Sequence, residues 1–276
     1  MPELPEVESV LQMLRDARPS LIGRRVERLL VIWDGVVACG SADALRQQLS
    51  GAVFATAERL GKYMIFGVDS VTADHGRRRY LIIHLRMTGR LFLVPNAEAV
   101  DRYTRLSLLL DQEVALRFDD PRKFGRVWLV DDPSEIIGNL GPDALTIDFD
   151  SFARRCMMSK RQLKPLLLDQ SCLAGIGNIY ADECLFRAGL HPQSNSRALA
   201  DDDLHLLHDA VCSVLTEAVA AKGANIDGVF KAGTFRVAVY GREGQPCPKC
   251  GTIVVKTRVA QRGTHFCPNC QVLREK

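Results

Sequence analysis

Apolar residues recur at helical spacing soon after the start of the chain. Val7, Val10, Leu11 and Leu14 share one face, which predicts an amphipathic helix over about Glu6–Arg18. The period then shortens. Runs at Val26–Trp33, Val53–Arg59, Lys62–Val68, Tyr80–Arg86, Leu91–Val94, Leu106–Leu110, Val114–Phe118 and Val127–Val130 read as strands, separated by turn residues such as Asp-Gly, Gly-Lys and Thr-Gly-Arg. One helix near Ala42–Leu49 interrupts them. Short strands without alternating helices predict an antiparallel sandwich or barrel, not βαβ units. Between Asp131 and Asp150 the texture changes to Asp-Asp-Pro, Gly-Asn-Leu-Gly-Pro and Asp-Phe-Asp, which marks a boundary. Helical patterns follow at Ser151–Met158, at Gln162–Asp169, in a segment entered at Gly177 or Asn178, and over Asp201–Lys222. In the last of these, Leu204, Leu207, Val211, Val214, Leu215 and Ala218 form one face. From Phe235 the chain returns to strand and turn. The expected class is α+β: a β-rich domain over 1–131, a linker over 132–150, a helical domain over 151–235 and a terminal hairpin over 236–276.

Composition sharpens this only in places. A chain of 276 residues, 47% hydrophobic and 25% charged, has the balance of a soluble globular protein of one large or two small domains. No early stretch reads as a signal peptide and no window approaches 18 uninterrupted apolar residues, so neither export nor a membrane span is expected. The net charge of +3 argues little by itself, but it is unevenly placed. From Lys231 to Lys276 nine Lys/Arg face two Glu, a local +7 that leaves the remainder at −4. Of nine cysteines, Cys39, Cys156, Cys172, Cys184 and Cys212 are scattered singly, as free thiols in a reducing compartment would be.

The other four cysteines form a pattern. Cys247-Pro-Lys-Cys250 and Cys267-Pro-Asn-Cys270 are two CxxC turns sixteen residues apart, the ligand set of one tetrahedral zinc. With four sulfurs the site is closed, so the metal is structural. Two disulfides are the competing reading, and His265 is a further candidate ligand. The arm between the pairs, Lys256 to His265, alternates basic and apolar residues, which suits either phosphate contact or a solvated basic hairpin. Leu173-Ala-Gly-Ile-Gly-Asn178-Ile-Tyr-Ala-Asp-Glu183 places two glycines and an asparagine before an apolar helix. Such a turn is either an anion site or a plain helix entry.

The opening Met-Pro-Glu-Leu-Pro-Glu-Val-Glu also carries two readings. Pro5 followed by Glu6 and Glu8 is ordinary helix-start chemistry. If Met1 is removed, however, Pro2 presents a secondary amine beside the Glu3 carboxylate. An amine of that kind attacks an aldehyde carbon to form an iminium, an electron sink.

Taken together, the opening octapeptide, the Leu-Ala-Gly-Ile-Gly-Asn-Ile-Tyr-Ala-Asp-Glu segment and the four-cysteine hairpin, in this order and spacing, resemble the bacterial formamidopyrimidine-DNA glycosylases. The resemblance runs essentially end to end. It implies an N-terminal β-sandwich with a flanking helix, a helix–two-turn–helix domain and a zinc hairpin. The implied activity is that of a bifunctional DNA glycosylase and AP lyase acting on damaged duplex DNA. Pro2 would be the nucleophile at C1′, Glu3 the acid/base and Glu6 a residue that orients the site, while Lys62 would assist from the β-sandwich. Read without the resemblance, Lys62 is a plain strand-edge lysine. Met87, Arg122 and Phe124 match a trio that fills the gap left by a flipped base, a task the chemistry demands. Core packing is the alternative for Met87 and Phe124. Asn178, Lys164 and Arg262 complete the expected DNA contacts. One structural zinc, a monomeric state and a cytoplasmic, nucleoid-associated bacterial enzyme are implied as well.

Two departures from the family pattern stand out. Arg86 occupies a position where family members commonly have glycine. The resemblance implies oxidised purines, formamidopyrimidines and 8-oxoguanine, as substrates, but the segment Gly223–Phe235 is shorter than, and unlike, the loop that caps flipped 8-oxoguanine, which favours formamidopyrimidines or other oxidised bases. Rival readings are an endonuclease VIII-type enzyme for oxidised pyrimidines, a damage-binding zinc protein without catalysis and an RNA-binding zinc ribbon.

Overall fold

The computed structural model of the chain describes residues 2–70, 78–226, 228, 230 and 232–275. Met1 and three positions of the Gly223–Phe235 segment (227, 229 and 231) lie outside the described residues. The chain forms two compact units. One contains residues 6–139, and the other contains Glu3–Pro5, Leu140–Ile226 and Phe230–Lys276.

The first unit holds most of helix α1 (Leu4–Asp16), then β1 (Val26–Val31), α2 (Ala42–Leu49), β2 (Val53–Leu60), β3 (Tyr63–Asp69), β4 (Arg78–His84), β5 (Arg90–Pro95), β6 (Thr104–Leu110), β7 (Val114–Asp119), β8 (Arg126–Val130) and α3 (Ser134–Ile137). The strands make two four-stranded antiparallel sheets, ordered β1-β6-β7-β5 and β2-β3-β4-β8. Every strand read from the sequence is present, with no end shifted by more than two residues. In β4, Leu81, Ile82 and Ile83 are all buried, so this strand lacks the in–out alternation of a half-exposed sheet. The reason lies in α3, which the sequence reading placed in a linker. Its Ile136 and Ile137 cover Ile65, Ile82 and Val130, so both faces of the sheet are apolar there. Each such buried aliphatic side chain contributes roughly 1.5–3 kcal/mol.

The second unit is helical, with α4 (Phe149–Met158), α5 (Leu163–Leu168), α6 (Asn178–Ala188) and α7 (Asp201–Ala220), followed by the hairpin of β9 (Val255–Val259) and β10 (Arg262–Phe266). Asp148 caps α4 by accepting the Ser151 N–H at 2.8 Å, and Gly189 ends α6 in the left-handed conformation. The core gathers the predicted apolar face of α7, the buried residues of α4, α5 and α6, and one distant residue, Leu4.

Candidate active site and nucleic-acid interface

Glu3 is 1% exposed, and its carboxylate is the N-terminal cap of α6. It accepts the backbone N–H groups of Gly177 at 2.8 Å, Ile179 at 2.9 Å and Tyr180 at 3.3 Å. This revises the anion-site reading of the Gly-Ile-Gly-Asn turn: the anion held by these helix N–H groups is the chain's own carboxylate. It also explains both glycines. A Cβ at Gly177 would lie 2.2 Å from Cδ of Glu3, and one at Gly175 would lie 2.4 Å from Leu4. The turn is glycine-rich so that residues 3 and 4 can approach it. Pro2, the neighbour of this fixed carboxylate, is buried, and so is Glu6 in the first turn of α1.

In the first unit, Lys62 sits in the tight turn joining β2 to β3, one residue before the strand expected to include it. Arg59 shapes that turn, donating to the Gly61 carbonyl at 3.0 Å and to the Glu8 carboxylate of α1 at 2.8 Å. The helix that follows Pro2 is thus tied to the turn that carries Lys62. The sequence held a sign of this in Glu8, whose spacing along α1 places it on the polar face. The arginine partner could be found only in three dimensions.

Met87 and Phe124 are 38% and 44% exposed, which removes the core-packing alternative for both. The Arg122 guanidinium lies over the Phe124 ring, 4.7 Å from its centroid. Arg86 adopts φ 56°, the left-handed region that glycine enters without cost. The loop is held in this shape by His84, whose Nδ1 accepts the Arg86 N–H at 3.0 Å.

In the second unit, Ala260 and Gln261 both have positive φ, making the tight turn that presents exposed Arg262 at the start of β10. The Asn178 side chain donates to the Gly263 carbonyl at 3.1 Å, so its amide braces this hairpin. Lys164 is enclosed. Expected among the DNA contacts, it has a side chain with no exposed surface, pairs with Asp182 at 2.6 Å and donates to the same Gly263 carbonyl at 2.7 Å. Burial pushes its pKa down against the pull of Asp182. A cation so enclosed supports the arm that carries Arg262. Asp182 also accepts the backbone N–H of His265 at 2.9 Å, and the two ring nitrogens of His265 lie 3.4 Å from Asp182 and 3.2 Å from Glu243. His265 is therefore held by carboxylates and is no zinc ligand. Next to Asp182, buried Glu183 accepts the N–H groups of Ala238, Val239 and Tyr240 at 2.7, 3.0 and 2.9 Å. These adjacent carboxylates hold the entry to the hairpin and its second strand.

The sulfurs of Cys247, Cys250, Cys267 and Cys270 lie within 4.8 Å of one another, with pairs at 3.9 and 3.5 Å. A tetrahedron of thiolates about 2.3 Å from zinc has edges of about 3.8 Å, so the set fits one ion and leaves no open coordination position. The hairpin holds one structural zinc.

Comparison with known proteins agrees with this geometry along the whole chain. Residues 1–127 match the formamidopyrimidine-DNA glycosylase N-terminal domain, residues 140–228 the H2TH domain of the same enzymes, and residues 244–272 a zinc finger found in FPG and IleRS. The formamidopyrimidine-DNA glycosylase of Protochlamydia amoebophila is 38% identical over 283 residues, covering 98% of this chain and 99% of the relative. That of Desulfitobacterium hafniense is 38% identical over 284 residues, covering 99% and 100%. Among solved structures, the Lactococcus lactis Fpg (MutM) in complex with DNA containing N7-benzyl-Fapy-dG superposes with a TM-score of 0.88. It is 33% identical, and the match covers 98% of this chain and 99% of that one. A MutM complex with carbocyclic 8-oxo-G DNA gives 0.87 at 32% identity over 98% and 99%. Fold, zinc finger and these matches define a DNA glycosylase of base excision repair with AP lyase activity. The chain belongs to the formamidopyrimidine-DNA glycosylase family.

Proposed function

We propose that this enzyme removes oxidised purines, formamidopyrimidines before 8-oxoguanine, from duplex DNA through a Schiff base on Pro2. The observation that carries the reading is Glu3, a carboxylate fixed by three N–H groups at a helix start and joined directly to the proline. A buried carboxylate held that firmly has a defined position, as proton transfer at a sugar requires.

With Met1 removed, the Pro2 amine attacks C1′ and the C1′–N bond breaks, with the base leaving protonated. Glu3 assists opening of the sugar ring. The resulting iminium acidifies the C2′ proton, whose loss expels the 3′ phosphate, and a second elimination expels the 5′ phosphate. Glu6 orients this end of the chain and Lys62 assists from the β2–β3 turn. Met87, Arg122 and Phe124 fill the space of the extruded nucleotide, with Arg122 hydrogen-bonding the estranged base, and Asn178 and Arg262 face the phosphates beside it. The enzyme works as a monomer in the bacterial cytoplasm, associated with the nucleoid. Among the described residues no helix is long and apolar enough to cross a membrane.

Borohydride added during turnover on a duplex containing a formamidopyrimidine traps a covalent protein–DNA adduct, and Pro2→Gly weakens or abolishes it. Trapping that persists with the N-terminal amine blocked would overturn the Pro2 assignment. Steady-state rates on formamidopyrimidine, 8-oxoguanine and 5-hydroxycytosine duplexes rank the lesions, and a faster rate on 5-hydroxycytosine would overturn the purine reading. Sedimentation of the enzyme–DNA complex tests the monomer.

A further inference from the structure

We propose that Asp120 is a positioning residue that makes the Met87 loop and the Arg122–Phe124 loop one rigid insertion device. The inference rests on the reading of those three side chains as void-filling residues.

Asp120 follows β7 directly and is fully buried. One carboxylate oxygen, Oδ2, accepts the backbone N–H groups of Phe124 and Gly125, both at 2.7 Å. The other, Oδ1, accepts the Arg122 N–H at 3.2 Å and the hydroxyl of Thr88, the residue after Met87. A single carboxylate therefore holds the backbone of Arg122 and Phe124 and the side chain next to Met87, and it crosses from one loop to the other. Its own backbone is pinned as well: the N–H donates to the Tyr103 carbonyl at 2.9 Å, and the carbonyl accepts from the Arg105 guanidinium at 2.8 Å.

A second link lies beneath the first. Both loops end in a glycine, and both glycines press on the buried ring of Phe118. A Cβ at Gly89 would lie 2.9 Å from that ring, and one at Gly125 would lie 2.3 Å from it. From the side, the Trp33 ring lies 5.6 Å from both the ammonium of Lys123, within the Arg122–Phe124 tip, and the guanidinium of Arg126, just after it. The loops thus have exposed tips and buried, shared roots. Side chains ordered before DNA arrives lose little freedom on entering the stack, and side chains on one rigid base enter together.

The test compares two rates: excision of an oxidised base from a duplex, which requires insertion, and strand cleavage at a preformed abasic site in single-stranded DNA, which has no stack to fill. Thr88→Val removes the bond between the loops with almost no change of shape, and Asp120→Asn disturbs the whole hub. Both slow duplex excision by about tenfold or more while single-strand cleavage stays within about twofold, the loss expected of a buried charge-assisted hydrogen bond. Thr88→Ser, which keeps the hydroxyl, restores excision. If both rates fall together, or if Thr88→Val changes neither while Met87→Ala slows excision, the coupling is refuted and the void-filling reading stands. If Met87→Ala and Phe124→Ala leave duplex excision unchanged, the void-filling reading falls and this inference with it. Should Asp120→Asn fail to fold, the Thr88 pair decides alone.

Discussion

His84 faces opposing demands. Its Nδ1 must stay unprotonated to accept the Arg86 N–H, and its ring packs edge-on against Tyr63 with centroids 4.5 Å apart. Burial first, then the charges of Arg86 and Lys62, push its pKa down from 6.5 to about 3. The folded protein thus keeps a neutral imidazole where the unfolded chain binds a proton. Stability from this site is complete above pH 6.5 and is lost as pH falls toward 3, by at most about 1.4 kcal/mol per unit. Calorimetry between pH 6.5 and 4 is expected to show a steeper fall in melting temperature for the native chain than for His84→Asn, and parallel curves would contradict it. The neighbouring Arg86 is strained by its positive φ, so Arg86→Gly is expected to stabilise by up to about 1 kcal/mol in urea unfolding. A loss of stability would show that the arginine side chain outweighs its backbone.

Among the elements, the strands of the first unit were legible because turn residues punctuate them, and α7 because its apolar face is unbroken over about four turns. What escaped had little local signal. α3 is four residues long and exists because Ile136 and Ile137 have a sheet face to cover, which no pattern within the segment reveals. The Gly-Ile-Gly-Asn turn was legible as an anion holder, yet its anion comes from the other end of the sequence. The four cysteines were legible because CxxC spacing is itself a ligand geometry. The burial of Lys164 was not legible because its partner Asp182 and its acceptor Gly263 are far apart in the chain, and a lysine read alone is assumed to be solvated. The Glu183 side chain acts on a similar scale, holding three successive N–H groups of the segment that enters the hairpin. Glu183→Ala is expected to cost roughly 1–3 kcal/mol, because those buried donors lose their acceptor. Hydrogen exchange at Ala238, Val239 and Tyr240 should quicken, and unchanged protection there would refute the role.

For the molecule as a whole, one small metal site supports the segment in which the positive charge is concentrated. The hairpin core consists of Val239, Cys247, Val254 and Cys267, with Phe186 and Cys270 beside it, too few apolar groups to fold a segment without an ion. Removing zinc with a chelator is expected to abolish tight duplex binding while the far-ultraviolet signal of the β-sheets persists. A zinc content clearly below one equivalent in fully active protein would contradict the structural assignment. The cap on α6 has a consequence for how the chain is made. In synthesis Glu3 precedes the amide of Gly177 by 174 positions. Until α6 emerges, the opening residues have no helix to cap and Leu4 has no core to enter, so the nascent start waits outside the fold it will complete. A fragment expressed from Leu140 onward would lack both its cap and one of its core residues.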